Sequence, residues 1–238
     1  MKAPKVIAFD LDGTLTQHKT ILDPVNRSVL NQLAKRYQLL MVGAGSADRI
    51  FRQLDNYPID VIGNYGMQFS RYNPTTCQFD IIRDSKLSCD KSSVQRRVDA
   101  LRQQFGYTSY AGDSVEFHDS GCVTFPILGT EAAPADKLSF DPSRERRRAI
   151  YPTVVDTFPE YTVFVGGSSS FDMAPRPFNK YYALDQYCQE NGLSHKEVVY
   201  VGDDYGPGGN DESVFCSDFP FIPVDDHTKL SEYLKELF

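Results

Sequence analysis

The sequence predicts an α/β protein: a core built on a parallel sheet, with an α+β domain inserted into it. Three observations carry that prediction. Short apolar runs at Val6–Phe9, Leu39–Val42 and Val198–Val201 read as strands buried on both faces, and segments of helical period separate them. Acidic, glycine or hydroxyl residues follow each run, at the strand ends where an open α/β sheet binds its ligands. From residue 84 to residue 174 the order becomes helix, two strands, helix, two strands, a different arrangement from the opening third. The expected core is therefore 1–83 and 175–238, and the expected insertion 84–174.

Composition bounds the function. With 238 residues, 41% of them apolar, the chain can bury a sizeable core. A net charge of −7, from 25 basic and 32 acidic residues, argues against a nucleic-acid partner. No apolar run nears the ~18 residues of a membrane span and no signal-peptide core is evident, so no membrane partner is expected and the reading is cytoplasmic. Five scattered cysteines without a C-x-x-C pair point to reduced thiols rather than disulfides or zinc.

Each element has a local reason. Val6–Phe9 ends on Asp10 and Asp12, followed by Gly13 and Thr14. Two acids one residue apart after a buried strand are costly unless they meet a cation or a reacting group, although D-G after a strand is also a common turn. Asp23-Pro24 starts a helix with a capping acid and a proline at the first position, and Val25, Val29, Leu33 and Tyr37 give it an apolar face. Gly43-Ala44-Gly45-Ser46 closes the second strand and opens the next helix. Ser46 there can hold a phosphate oxygen or simply cap the helix. Ile59–Ile62 reads as a third strand, and Met67–Tyr72 and Cys77–Ile82 as a hairpin around Asn73-Pro74-Thr75-Thr76.

In the insertion, Val94, Val98, Leu101 and Phe105 mark a helix, and Ser114–Phe125 a hairpin turning at Asp119-Ser120-Gly121. Asp141-Pro142 is the expected start of a helix that carries the run Arg144–Arg148, read as a solvated face because Glu145 interrupts it. Tyr161–Val165 and Ser169–Ala174 read as strands. Back in the core, a helix begins at Lys180 and ends at Asn191-Gly192. A cation at a helix start opposes the helix dipole, so Lys180 has little local structural reason to be there. Asp203 and Asp211 flank the glycine-rich loop after Val198–Val201, which is either a flexible connection or a bed for an ion or phosphate. Phe219–Val224 and a helix over Leu230–Leu237 complete the core.

Taken together, Asp10 and Asp12, Ser46, Lys180, Asp203 and Asp211 converge from three strand ends and one helix start. Phosphoryl transfer needs such a set, because its work is mostly positioning and neutralising charge on the transferred group. Mg²⁺, which takes one or two carboxylates plus substrate oxygens, fits acids so placed.

The motifs D-L-D-G-T-L-T, G-A-G-S, Asn179-Lys180 and G-D-D-Y-G-P-G-G-N-D resemble the four motifs of the haloacid dehalogenase superfamily, in that order and over the full chain. The resemblance implies a Rossmann-like core with a C2-type cap, Mg²⁺ at Asp10, Asp12, Asp203 and Asp211, a phospho-aspartate on Asp10 and acid/base work by Asp12. P-G-G-N-D, E-F before His118, and S-F-D at Ser170–Asp172 are similar to eukaryotic-type phosphomannomutases and, more distantly, Cof-type sugar phosphatases. By that analogy Ser170 and Asp172 meet sugar hydroxyls, and a homodimer would form through the cap. The positions aligned with the mutase cap arginines hold His118, Thr130 and Lys137, which lack the permanently charged planar fork of arginine. The expectation is thus a phosphatase acting on a small phosphorylated metabolite, a sugar phosphate, with a phosphomannomutase-like mutase as the alternative and a catalytically idle binding module as the rival from another class.

Overall fold

In the computed structural model, which describes residues 4–238, the chain runs β1 (Val6–Phe9), α1 (Pro24–Leu33), β2 (Gln38–Val42), α2 (Ala47–Gln53), β3 (Asp60–Gly63), β4 (Gln68–Asn73) and β5 (Gln78–Asp84). It continues through α3 (Lys91–Phe105), β6 (Glu116–Phe117), β7 (Val123–Pro126), α4 (Pro134–Phe140), α5 (Glu145–Thr157), β8 (Tyr161–Phe164) and β9 (Ser170–Pro175). It closes with α6 (Lys180–Asn191), β10 (Val198–Gly202), α7 (Glu212–Phe215), β11 (Phe221–Pro223) and α8 (Leu230–Tyr233). Among the described residues no helix is long and apolar enough to cross a membrane.

Two units divide the chain. The first holds residues up to Ser85 together with Asn179–Gly206 and Asp211–Phe238. Its sheet has the order β11-β10-β1-β2-β3-β4-β5, parallel from β11 to β3 and antiparallel through the β4–β5 hairpin. The uninterrupted apolar runs follow from burial of both faces. On β1, Ile7 and Phe9 pack with Val29 and Leu33 of α1, Ile50 of α2 and Leu230 of α8, whereas Val6 and Ala8 point to Ala183, Leu184 and Tyr187 of α6. Asp23 caps α1 as expected, its carboxylate accepting the amides of Val25 and Asn26. Gly192 ends α6 in the left-handed conformation that favours glycine, at φ +63°.

The second unit comprises Lys86–Phe178 and Pro207–Asn210. Its sheet, in the order β6-β7-β9-β8, is antiparallel throughout. Strand alternation sends Val123, Phe125, Phe171 and Met173 against Val98 and Leu101 of α3 and Val154 of α5. The opposite face carries polar groups, with Glu116, Thr124 and Asp172 in register across β6, β7 and β9.

The structure differs from the sequence reading in five places. The unit boundaries fall at 86–178 rather than 84–174, and four residues of the glycine-rich loop join the second unit. The short helix α4 was not expected, since it buries none of its residues and so leaves no apolar stripe to read. Helix α5 begins at Glu145, not at Asp141-Pro142; Asp141 still serves its amino end, its carboxylate accepting the amides of Arg146 and Arg147. The Leu230–Leu237 helix is interrupted, with α8 only four residues long and a 3₁₀ turn at Lys235–Leu237.

The arginine run is also not a uniformly solvated face. Arg147 is fully buried, paired to Asp141 at 2.9 Å and donating to the carbonyls of Gly166, Gly167 and Ser170. Arg148 donates to the Pro207 carbonyl, and Arg146 lies over the Phe140 ring. Guanidinium groups with five donors can satisfy several carbonyls at once, and here they hold loops in place.

Candidate active site

The first unit contains every core residue the sequence singled out. Asp10 follows β1 directly, its amide donating to the Val201 carbonyl at 2.9 Å, so the pairing with β10 continues up to the carboxylate. Asp203 follows β10 in the same way. Lys180 is the first residue of α6, behind Asn179, whose side chain caps the helix through the Tyr182 amide. Lys180 Nζ lies 2.5 Å from Asp10 Oδ1 and 2.7 Å from Asp211 Oδ1. Lys180 and Asp211 are wholly buried and Asp10 nearly so. Oxygen atoms of Asp10, Asp203 and Asp211 lie within 4.8 Å of one another, the spacing a single cation needs.

Two glycines make that convergence sterically possible. A Cβ on Gly13, whose φ is +99°, would stand 2.3 Å from Asp203 Oδ2. A Cβ on Gly202 would stand 2.6 Å from Asp211 Oδ2. The glycines of the first and fourth motifs thus yield their side-chain space to carboxylates.

Electrostatically the cluster is unbalanced. Three carboxylates, when ionised, meet one buried ammonium and leave an excess of two negative charges. Burial first, and repulsion from Asp211 and Asp203, lift the Asp10 carboxyl well above the usual range, while Lys180 pulls it back. Burial, then the Asp211 charge, push Asp203 up to about 6, against the Lys180 charge and a hydrogen bond from the Thr14 hydroxyl at 3.0 Å. For Lys180 the desolvation penalty is outweighed by Asp10 and Asp211, which raise its pKa and keep it charged. Buried acids raised in this way fit a divalent cation, whose charge matches the excess.

Asp12 is held differently. Its Oδ1 accepts the Lys19 amide at 2.7 Å and the Gln53 side-chain amide at 2.6 Å, and its Oδ2 lies 3.7 Å from the Arg49 guanidinium. Burial pushes its carboxyl up, but the Lys19 and Gln53 hydrogen bonds and the nearby His18 and Arg49 charges outweigh it and hold the group below the ordinary carboxylate range. One oxygen is thus anchored by two hydrogen bonds, while the other has only the longer Arg49 contact. Asp12, expected with Asp10, Asp203 and Asp211 to be a metal ligand, is not part of the three-carboxylate cluster. Ser46 stands at the same end of the sheet and caps α2, its hydroxyl accepting the Arg49 amide at 3.4 Å.

Sequence reasoning missed Gln53 and Tyr200. Gln53 donates to both Asp12 and the Thr16 hydroxyl, and Tyr200 donates to Asp211 Oδ1 at 2.6 Å. The signal for Gln53 was a polar residue one turn after Ile50 on the buried side of α2; for Tyr200 it was a hydroxyl inside an otherwise apolar strand.

In the second unit the four predicted binding residues fall into three local arrangements. His118 Nε2 lies 3.1 Å from the Thr124 hydroxyl, which donates to Asp172 Oδ1 at 3.0 Å. Ser170 donates to the Gly166 carbonyl at 3.1 Å. Lys137 Nζ donates to the Thr130 carbonyl at 2.8 Å, and the Thr130 hydroxyl accepts the Asp113 amide.

Comparison with known proteins agrees with this chemistry. The family description "Eukaryotic phosphomannomutase" matches residues 26–222. The phosphomannomutase of Saccharomyces cerevisiae is 25% identical over 228 residues, spanning 91% of this chain and 87% of the yeast protein. Among solved structures, the IMP-nucleotidase of Plasmodium falciparum superposes with a TM-score of 0.73 at 16% identity, covering 99% of this chain and 68% of that one. A phosphatase of the haloalkanoate (HAD) superfamily from Bacteroides thetaiotaomicron gives a TM-score of 0.63 at 15% identity, covering 99% and 95%. The two structures share the fold, a parallel-sheet core carrying an inserted cap; on the family match, this chain belongs to the eukaryotic phosphomannomutase family, within the haloacid dehalogenase superfamily of enzymes.

Proposed function

We propose that the protein is a Mg²⁺-dependent phosphotransferase acting on a hexose phosphate through a phospho-aspartate on Asp10, with phosphomannomutase-type isomerisation as its reaction. The observation that carries this reading is the buried contact of Lys180 with Asp10 and Asp211, in one unit with Asp203. An oxygen of Asp10 attacks the phosphorus and the bond to the sugar oxygen breaks; Asp12 gives that oxygen its proton. In the return step a sugar hydroxyl attacks the phosphoryl group, and Asp12 takes the hydroxyl proton. Lys180 faces the anionic carboxylate and offsets the charge that gathers there. Asp10, Asp203 and the main-chain oxygen of Asp12 would hold Mg²⁺, which when bound supplies the positive charge that lets a carboxylate approach a phosphate dianion. Ser46, Ser170, Asp172, His118 and Lys137 are the candidates for gripping the rest of the substrate.

A second reading, sugar-phosphate hydrolysis, is favoured by the second unit. A mutase must retain its bisphosphate intermediate, and by the resemblance His118, Thr130 and Lys137 stand where the mutases carry arginines. Lys137 already donates to a backbone carbonyl and Arg147 is fully committed. Incubation with mannose 1-phosphate, a trace of hexose bisphosphate and Mg²⁺ separates the readings: mannose 6-phosphate supports the mutase, free phosphate the phosphatase. Absence of both products, with Asp10→Asn indistinguishable from wild type, refutes the two together.

A further inference from the structure

Tyr200 lies in the middle of β10, between valines, and is fully buried. Its ring packs against Phe221, with centroids 5.6 Å apart, so apolar contact alone would be served by phenylalanine. A buried phenol without a partner is costly, and this one has a partner of unusual position. The hydroxyl donates to Asp211 Oδ1 at 2.6 Å, the same oxygen that accepts from Lys180 at 2.7 Å. Both lone pairs of Oδ1 are therefore taken. Oδ2 accepts the Asp204 amide at 3.0 Å and is pressed against Gly202, where a Cβ would come within 2.6 Å. Asp10 and Asp203 are less committed: each has one oxygen in a side-chain hydrogen bond, to Lys180 and from Thr14 respectively, and among the described residues the other oxygen has none. Mg²⁺ sites commonly use one or two carboxylates, and two less-committed ones are present without Asp211.

We infer that Tyr200 is a positioning residue whose hydroxyl assigns Asp211 to Lys180 instead of to the cation, so that Asp211 acts on the reaction by holding the ammonium against Asp10. The inference rests on Asp10 being the attacking carboxylate. Tyr200→Phe keeps the ring and removes only the donor. Expected in that variant are a kcat on mannose 1-phosphate lowered about tenfold, a KM within twofold of wild type, and a calorimetric Mg²⁺ dissociation constant also within twofold. Asp211→Asn should likewise keep Mg²⁺ binding while losing turnover. Unchanged kcat in Tyr200→Phe, whether or not the melting temperature falls, overturns the positioning role. A tenfold or greater loss of Mg²⁺ affinity in Asp211→Asn shows Asp211 to be a ligand and overturns the assignment. The calorimetric arm needs no substrate, so it still decides the Asp211 assignment if wild type fails to convert mannose 1-phosphate and the proposed reaction is wrong.

Discussion

Arg147 in the second unit and Lys180 in the first are both completely buried, and their surroundings differ in charge balance. Arg147 meets one carboxylate, Asp141, and four backbone carbonyls; its charge is matched and its donors are used in tying α5 to the loop before β9. Lys180 meets Asp10 and Asp211 with Asp203 close by, so negative charge remains in excess. A balanced buried pair is architecture. An excess of buried negative charge is unfavourable for the fold by itself and would be offset by a cation held there.

The sharpest test of that contrast is Asp10→Asn. Turnover should fall about 10⁴-fold or more, since no other carboxylate can take the nucleophile's place. At the same time the metal-free variant should melt at a higher temperature than wild type, because one member of a repelling set has been neutralised. A lower melting temperature would mean that the Lys180 contact contributes more than the repulsion costs. Arg147→Ala should behave in the opposite sense, costing about 3–5 kcal/mol in urea unfolding by leaving Asp141 buried and unpaired; a loss under ~1 kcal/mol would break the comparison.

Cation binding gives the next largest effect. Mg²⁺ at ~100 times its dissociation constant should stabilise wild type by about 2.7 kcal/mol, and EDTA should reverse it. The same titration of Asp203→Asn should show most of that gain lost. An equal gain in both proteins would place the cation elsewhere.

The smallest effect is expected at His195, where one imidazole lies between two partly exposed carboxylates. Its ring nitrogens lie 2.6 Å from Asp218 and 3.0 Å from Asp185, and it stacks on Phe219 at 4.0 Å. Desolvation lowers its pKa, but the two carboxylates outweigh that and raise it above 6.5. Because the folded value is the higher one, the stabilisation is fully present below pH 6.5 and is lost as pH rises through the folded pKa. Melting curves of wild type and His195→Gln should therefore differ at pH 5.5 and converge at alkaline pH; a gap that widens with pH would reverse the sign of the coupling.

The core was legible because its acids follow strands whose apolar runs are unambiguous. Asp10, Asp203 and Lys180 each sit at an element end that the residue pattern marks, and parallel pairing brings those ends together. What stayed hidden depends on side chains that reach across the sheet. Gln53 on the Ile50 side of α2 and the Tyr200 hydroxyl inside an apolar strand are visible as polar groups out of place, but their partners Asp12 and Asp211 appear only once α2 is laid on β1 and the loop after β10 is folded back. The burial of Arg147 is hidden for the related reason that a charge run on a helix gives no sign of which member turns inward; Asp141, six residues away, serves the helix start and is at the same time the counter-charge. The polar face of the second sheet follows from strand alternation, but which of its groups are already satisfied does not.

Gly13 and Gly202 each leave a gap the size of a methyl group, and a carboxylate oxygen fills it. A homologue could therefore retain all four motif acids and the lysine, align over its whole length, and still be inert if either position acquired a side chain. When sequences of this kind are sorted into working enzymes and silent copies, those two small residues are as informative as the charged ones around them.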